Sequence, residues 1–251
     1  MAGVTKQYAF ALWQGYANAA VSQEIFDAYR NVGSGSWSEN YISTRLLIAL
    51  HGLGTDLQWQ EHGQRVTWQG YKYSGTPEQT YGDIAVFVRV KLDATSFIDG
   101  VAYYEAKRQY FNTDGNKQGF QALKLGQLGK ILQSTHAAHV LLYDIDSAPR
   151  GATAVPAKFV EALLAGRNAQ KITAPLGTEL HTFGRNWVVP LGNNLRGFDL
   201  DFNPGGVAAL KKFVDGLPGA VINAGVSLLP DLEPEPAPFE AASFGYVLAP
   251  M

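Results

Sequence analysis

Apolar residues recur at two spacings along this chain, and the changes from one to the other mark its elements. Over the first 30 residues Tyr8, Leu12, Trp13, Tyr16, Ile25 and Tyr29 stand in an Ala-rich background, a helix-compatible pattern. NVGSGS (31–36) breaks it with two glycines and small polar residues. A second helix is predicted from 36 to 50, where Ser36 and Glu39 have capping-box spacing and Leu46, Leu47 and Leu50 extend an apolar face to His51 and Gly52. From 56 to 109 the period falls to two. LQWQE (57–61) and RVTWQGYKY (65–73), then IAVFVRVKL (84–92) and VAYYEAKRQ (101–109), read as strands. NTDGN (112–116) is a turn, and 117–133 is predicted as a helix with Phe120, Leu123, Leu128, Ile131 and Leu132 on one broad face. HVLLYDI (139–145) is nearly all apolar, as in a strand at a sheet's buried centre. Beyond it, 156–165 and 205–216 read as helices, with HTFGRNWVV (181–189) and FDLDF (198–202) as strands. The prolines and carboxylates of LPDLEPEPAP (229–238) preclude a regular helix and predict an extended strap. The apolar residues at 243–248 are expected to dock on the domain or on a second copy.

Composition narrows the class. With 251 residues, 46% hydrophobic and 17% charged, the chain suits one large globular domain or two small ones. The absence of cysteine excludes disulfides, Cys-ligated zinc, iron–sulfur clusters and thiol nucleophiles. The apolar runs are too short for a membrane span, and no apolar segment near Lys6 reads as a signal peptide, so a cytoplasmic protein without a membrane partner is expected. Net charge is −2, but residues 231–251 hold Asp231, Glu233, Glu235 and Glu240 without a base, leaving 20 basic against 18 acidic groups in 1–230. Polyanion binding must then rest on a local patch, and 105–133 offers Lys107, Arg108, Lys117, Lys124 and Lys130 against Glu105 and Asp114. Of these, Arg108, Lys117 and Lys124 are candidate nucleic-acid contacts. An acidic strap crossing this segment would compete with the polyanion.

The candidate chemistry lies in Asp83, just ahead of a predicted strand, and in Glu105-Ala106-Lys107 on another. Glu105 and Lys107, two apart on a strand, project from one face. If the two strands are neighbours, Asp83 lies beside them, and two close carboxylates need a proton or a cation between them. Oxygen donors without cysteine or an evident histidine partner suit Mg²⁺ or Mn²⁺ rather than zinc.

YGD (81–83), YYEAKRQ (103–109) and the helix–strand–strand–strand–helix–strand order over about 36–145 resemble the PD-(D/E)XK nuclease superfamily. The resemblance implies a restriction-endonuclease-like α/β fold: an α-β-β-β-α-β core with a mixed central sheet, an N-terminal helical segment and a C-terminal α/β extension. The segments are then 1–35 (helical), 36–150 (nuclease core), 151–228 (extension of the same domain) and 229–251 (strap and apolar terminus). By resemblance Asp83, Glu105 and the Ala106 carbonyl hold Mg²⁺, for which Mn²⁺ can substitute, Lys107 is the catalytic lysine, and Glu39 matches a helical Glu of many members. Several subfamilies place a Gln on the following helix; Gln118, Gln121 and Gln127 compete for that role here, with Gln121 favoured. Gly82 stands where the family often has Pro.

The expected function is metal-dependent hydrolysis of nucleic-acid phosphodiesters, DNA ahead of RNA, in restriction, repair or defence, by a chain that acts alone, as a homo-oligomer or with a partner subunit. Two alternatives stay open: a non-catalytic nucleic-acid-binding or assembly subunit on the same fold, and a glycosidase-type pair of carboxylates without metal. His136 and His139 straddle a helix end and a strand start, a spacing that fits a metal pair poorly.

Overall fold

A strand that is apolar at nearly every position must be covered on both faces, and IAVFV is such a run. In the computed structural model, which describes residues 5–73, 83–120, 123, 125–145, 151–212, 217–229, 231–239 and 244–246, it lies near the middle of a mixed sheet flanked by helices. The chain begins with β1 (Lys6–Tyr8), α1 (Phe10–Arg30), α2 (Glu39–Gly52), β2 (Asp56–Trp59) and β3 (Gln64–Tyr73). There follow β4 (Ile84–Lys91), β5 (Phe97–Arg108), the short hairpin β6 (Tyr110–Phe111) and β7 (Lys117–Gly119), α3 (Leu125–Ser134) and β8 (Ala138–Tyr143). The remainder comprises β9 (Ala152–Pro156), α4 (Ala157–Gly166), α5 (Ala174–Phe183), β10 (Arg185–Asn186), α6 (Val188–Leu195), α7 (Pro204–Lys211), β11 (Ala220–Ser227) and β12 (Phe244–Tyr246). The sheet order is β1-β2-β3-β11-β4-β5-β8-β9-β10, with β12 added to β3.

Strand pairing sets up the site. β4 and β5 are antiparallel neighbours, and β5 and β8 are parallel. β11, far along the chain, lies between β3 (antiparallel) and β4 (parallel), and every residue in it is buried. One face of the sheet packs on α1, α2 and α6. In α1 the buried Trp13, Ala17, Val21, Ile25 and Ala28 recur at three- or four-residue spacing, one stripe of a helix. The other face packs on α3, α4 and α5 through residues such as Phe87, Tyr103, Leu128, Val160 and Leu180.

Several expectations need correction. The helix expected over 117–133 starts at Leu125; Lys117–Gly119 is a strand, because Gly119 (φ +86°) lies against the backbone of Ile172–Ala174 and Phe120 N–H donates to the Ile172 carbonyl at 2.7 Å. HTFGRNWVV is not a strand: only Arg185–Asn186 pairs, between α5 and α6, whose buried Leu176, Leu180, Leu191 and Leu195 repeat at helical spacing. FDLDF contributes only a bridge from Asp201 to Val101, since Asp199 at φ +54° interrupts extended backbone.

After a turn closed by Leu232 N–H on the Leu229 carbonyl (3.1 Å), the segment 233–239 runs over β3, β11 and β4 without helix or strand of its own. Its Pro234 carbonyl accepts from Thr67 Oγ1 (3.2 Å), its Glu233 carbonyl from Lys91 Nζ (3.2 Å) and its Ala237 carbonyl from Asn223 Nδ2 (2.9 Å), while Glu233 lies 3.6 Å from Arg65. None of these polar contacts is with 105–133, so they lend no support to the expected competition with a polyanion there. The strap passes so close to Gly225 that a Cβ there would sit 2.4 Å from the Glu235 carbonyl carbon. Gly225→Ala is therefore expected to lift the strap and destabilise the fold by about 1–3 kcal/mol, read as a lowered urea midpoint; an unchanged midpoint would mean that the strap contributes nothing to stability.

Candidate active site

β5 is longer than its neighbour: Ile84, the first residue of β4, faces Tyr104, so the end of β5 runs on past the start of β4. The N–H groups on that open edge must find other acceptors. Ala106 N–H donates to Asp83 Oδ2 at 2.7 Å, and Arg108 N–H, two residues on, donates to Glu39 Oε1 at 3.1 Å. Asp83 is carried there by its backbone, whose N–H donates to the Tyr104 carbonyl (2.9 Å) and whose carbonyl accepts from Ala220 N–H (2.8 Å). A residue's N–H and C=O lie on the same edge of an extended strand, so the Ala106 carbonyl faces the Asp83 side as well.

Glu39 arrives from across the sheet. The helix does not begin with the expected capping box: Ser38 is the N-cap and accepts from Tyr41 N–H (3.4 Å), whereas Ser36 Oγ donates to the carbonyls of Ala28 and Asn31 (2.6 Å each). Glu39 is thus the first residue of α2, at the helix end that favours an anion. Trp37 Nε1 donates to the Gln109 carbonyl (2.8 Å), which ties this helix start to the end of β5.

On the face towards α3, Lys107 Nζ donates to Glu105 Oε1 at 2.5 Å and lies 4.0 Å from Glu39 Oε2. Glu105 is 2% exposed and Lys107 5%. Burial, then the charges of Glu105 and Glu39, push the Asp83 carboxyl up to about 8, against the opposing pull of Lys107 and the Ala106 N–H. Burial works against the Lys107 ammonium, but Glu105, Asp83 and Glu39 outweigh it and hold its pKa above the ordinary lysine value. Tyr143, on β8 below the cluster, shares a hydrogen bond with Ser43 of α2 (2.8 Å). Burial raises its pKa well above the usual tyrosine value, and Asp83 and Glu39 add to that rise. Asp83, Glu105, Lys107 and Glu39 therefore form one coupled group around the open edge at Ala106.

The other candidates divide. Arg108 stacks its guanidinium over the Tyr110 ring, 4.1 Å from the centroid. Lys117 is neutralised by Asp144 (2.7 Å). Gln121 and Lys124 lie outside the described residues. His136 is exposed, and His139 stacks on Tyr104, with burial lowering its pKa to about 4, so the two are no ligand pair.

Residues missed at the sequence level include Ser43, Tyr143, Trp37 and Gln109, whose roles depend on which strands become neighbours. Asp144 was missed as well, although an acid closing the apolar run of β8 could have marked it. Its carboxylate meets Lys117 and His181 Nε2 (3.2 Å), and His181 Nδ1 meets Thr153 Oγ1 (2.8 Å).

Among the described residues no three His, Asp or Glu side chains gather as a ready metal cage. The donors present are two carboxylates and the Ala106 carbonyl. These hard oxygens suit a cation that keeps several waters, such as Mg²⁺. Burial first, and then the charges of Glu105 and Glu39, raise the Asp83 carboxyl to about 8, and a cation would offset the part that those neighbouring charges contribute. No family model, no curated protein and no solved structure matches this chain.

Proposed function

We propose that this chain is a Mg²⁺-dependent nuclease with a restriction-endonuclease-like core formed by α2, β3, β4, β5, α3 and β8. The observation that carries the reading is the convergence of Asp83, Glu105 and Lys107 at the open end of β5, with Glu39 reaching the same lysine. The chain order of those six elements supports it; in the sheet, β11 separates β3 from β4, so the first two of those strands are not hydrogen-bonded neighbours.

Asp83, Glu105 and the Ala106 carbonyl would hold Mg²⁺ or Mn²⁺. The cation supplies a Lewis acid for the phosphate and lowers the pKa of water. Lys107 keeps its proton, so it acts as a fixed positive donor that orients an attacking water and offsets charge growing on the phosphate. Glu39 and Glu105 hold that ammonium in place, and Glu39 also fixes the backbone at Arg108. DNA is the first substrate to test, on the strength of the family resemblance.

A second reading has its own observation. Asp83 and Glu39 already accept the two open N–H groups of β5, so they serve a structural purpose without catalysis, as in a non-catalytic binding or assembly subunit. Incubating the purified chain with plasmid and oligonucleotide DNA and RNA decides between them. The nuclease reading expects cleavage with Mg²⁺ or Mn²⁺ that stops in EDTA. No cleavage, together with no Mn²⁺ binding by calorimetry, leaves the structural reading.

A further inference from the structure

We infer that the site takes an unpaired nucleic-acid strand, held by base stacking on two aromatic surfaces beside the carboxylates, rather than a duplex held by its phosphates. The inference rests on the nuclease reading and names the form of its substrate.

The first surface follows from strand register. Lys72, Ala220, Ile84 and Tyr104 lie in one row across β3, β11, β4 and β5. One residue nearer the sheet's edge, the row becomes Tyr73, Gly219, Asp83 and Glu105, and Tyr73 N–H donates to the Gly219 carbonyl at 3.0 Å. At about 4.8 Å per strand, Tyr73 stands about 10 Å from Asp83. The position between them is a glycine, so no side chain rises there. Tyr73 shares its sheet face with Tyr71 and therefore with Glu105 and Lys107. Its ring meets Phe244 edge-on at 5.8 Å, and neither residue is fully buried.

The second surface lies on the opposite flank, where β5 runs into β6. Arg108, whose N–H is bonded to Glu39, lays its guanidinium over Tyr110, and both side chains are partly exposed. Aromatic rings and arginine planes stack on unpaired bases of any sequence but find no base face in an intact duplex.

Electrostatics points the same way. Of the cations nearest the site, Lys107 is paired with Glu105 and Lys117 with Asp144, while Arg108 is stacked on Tyr110. Duplex binding through phosphates draws on many free cations and falls steeply with salt. Stacking needs few.

The test uses the full chain in EDTA, where binding is read by fluorescence anisotropy without cleavage. Single-stranded DNA, single-stranded RNA and duplex DNA of one sequence are compared between 50 and 200 mM salt (roughly the range over which phosphate-driven binding collapses). At least one single strand should bind about tenfold tighter than the duplex, with a salt dependence less steep than the duplex's. An abasic site moved along that strand should weaken binding about tenfold at a few positions and leave the others unaffected. Tyr73→Ala should remove the sensitivity at one of those positions, and Tyr73→Phe should restore it. The abasic scan on the unmodified chain holds even if Tyr73→Ala loosens the fold. Equal or tighter duplex binding, or an abasic scan without position dependence, overturns the inference. If such a duplex-binding chain still cleaves with Mg²⁺, the nuclease reading survives alone. If a single strand binds with the expected scan but is never cleaved, the stacking surfaces stand and the nuclease reading falls. If nothing binds and nothing is cleaved, both fall.

Discussion

Glu105→Gln is expected to lower metal-dependent cleavage by about a thousandfold while the melting temperature stays within about 4 °C of the parent, the shift that about 1 kcal/mol gives a chain of this size. Glutamine keeps the volume and the acceptor that Lys107 Nζ uses at 2.5 Å. It removes the charge that a cation would need and that helps push Asp83 up. The contrast is Lys107→Ala, which strips the ammonium from a group of buried carboxylates and is expected to cost about 3–5 kcal/mol of stability. Lost activity in that variant alone would not separate chemistry from folding. Single-turnover cleavage and thermal melting of both variants make the separation. A Glu105→Gln protein that cleaves at parental rate would remove Glu105 from the mechanism.

Much of this arrangement is legible in the sequence, for a physical reason. Glu105 and Lys107 alternate with the apolar Tyr104 and Ala106 on a strand, so their common face follows from the two-residue period alone. That β4 and β5 are neighbours follows from their short connection. The pairing of Asp83 with the end of β5 then needed only the lengths of the two strands.

What escaped reading depended on distant partners. AVINAGVS became the strand β11 at the sheet's centre, although Asn223 and the Ala224-Gly225 pair after it weaken the strand signal. It gains that place because β3 and β4 both pair with it along its whole length. Phe120 has helical spacing with Leu123 and Leu128, but Gly119 and the contact with Ile172 turn 117–119 into a hairpin strand, a tertiary override of local pattern. Ser36 and Ser38 offer equally good caps by composition. The burial of Trp37, with its hydrogen bond to Gln109, decides between them, and it brings Glu39 to the site as the first residue of the helix rather than the third.

Without a divalent cation, the protein is expected to lose stability as pH rises from about 5 to about 8, by up to about 1.4 kcal/mol per pH unit. The cause is Asp83, whose carboxyl titrates near 3.8 in an unfolded chain and near 8 in the fold. Between those values the folded chain holds a proton that the unfolded chain has shed, so each rise in pH favours unfolding. Below the lower value and above the upper one the slope from this group vanishes. Asp83→Asn keeps an oxygen acceptor for Ala106 N–H but cannot titrate, so its stability should stay nearly flat over the same window. Histidines titrate there too, and the difference between parent and variant isolates the carboxyl. A cation binds the ionised form, so Mn²⁺ should restore stability most strongly near pH 8 and release about one proton per ion near pH 7. Urea titrations at several pH values measure the slope, and calorimetry in buffers of different ionisation enthalpy counts the proton. Equal slopes in parent and Asp83→Asn would mean that Asp83 is already ionised at neutral pH, and that the crowding of charge at the end of β5 is relieved by Lys107 alone.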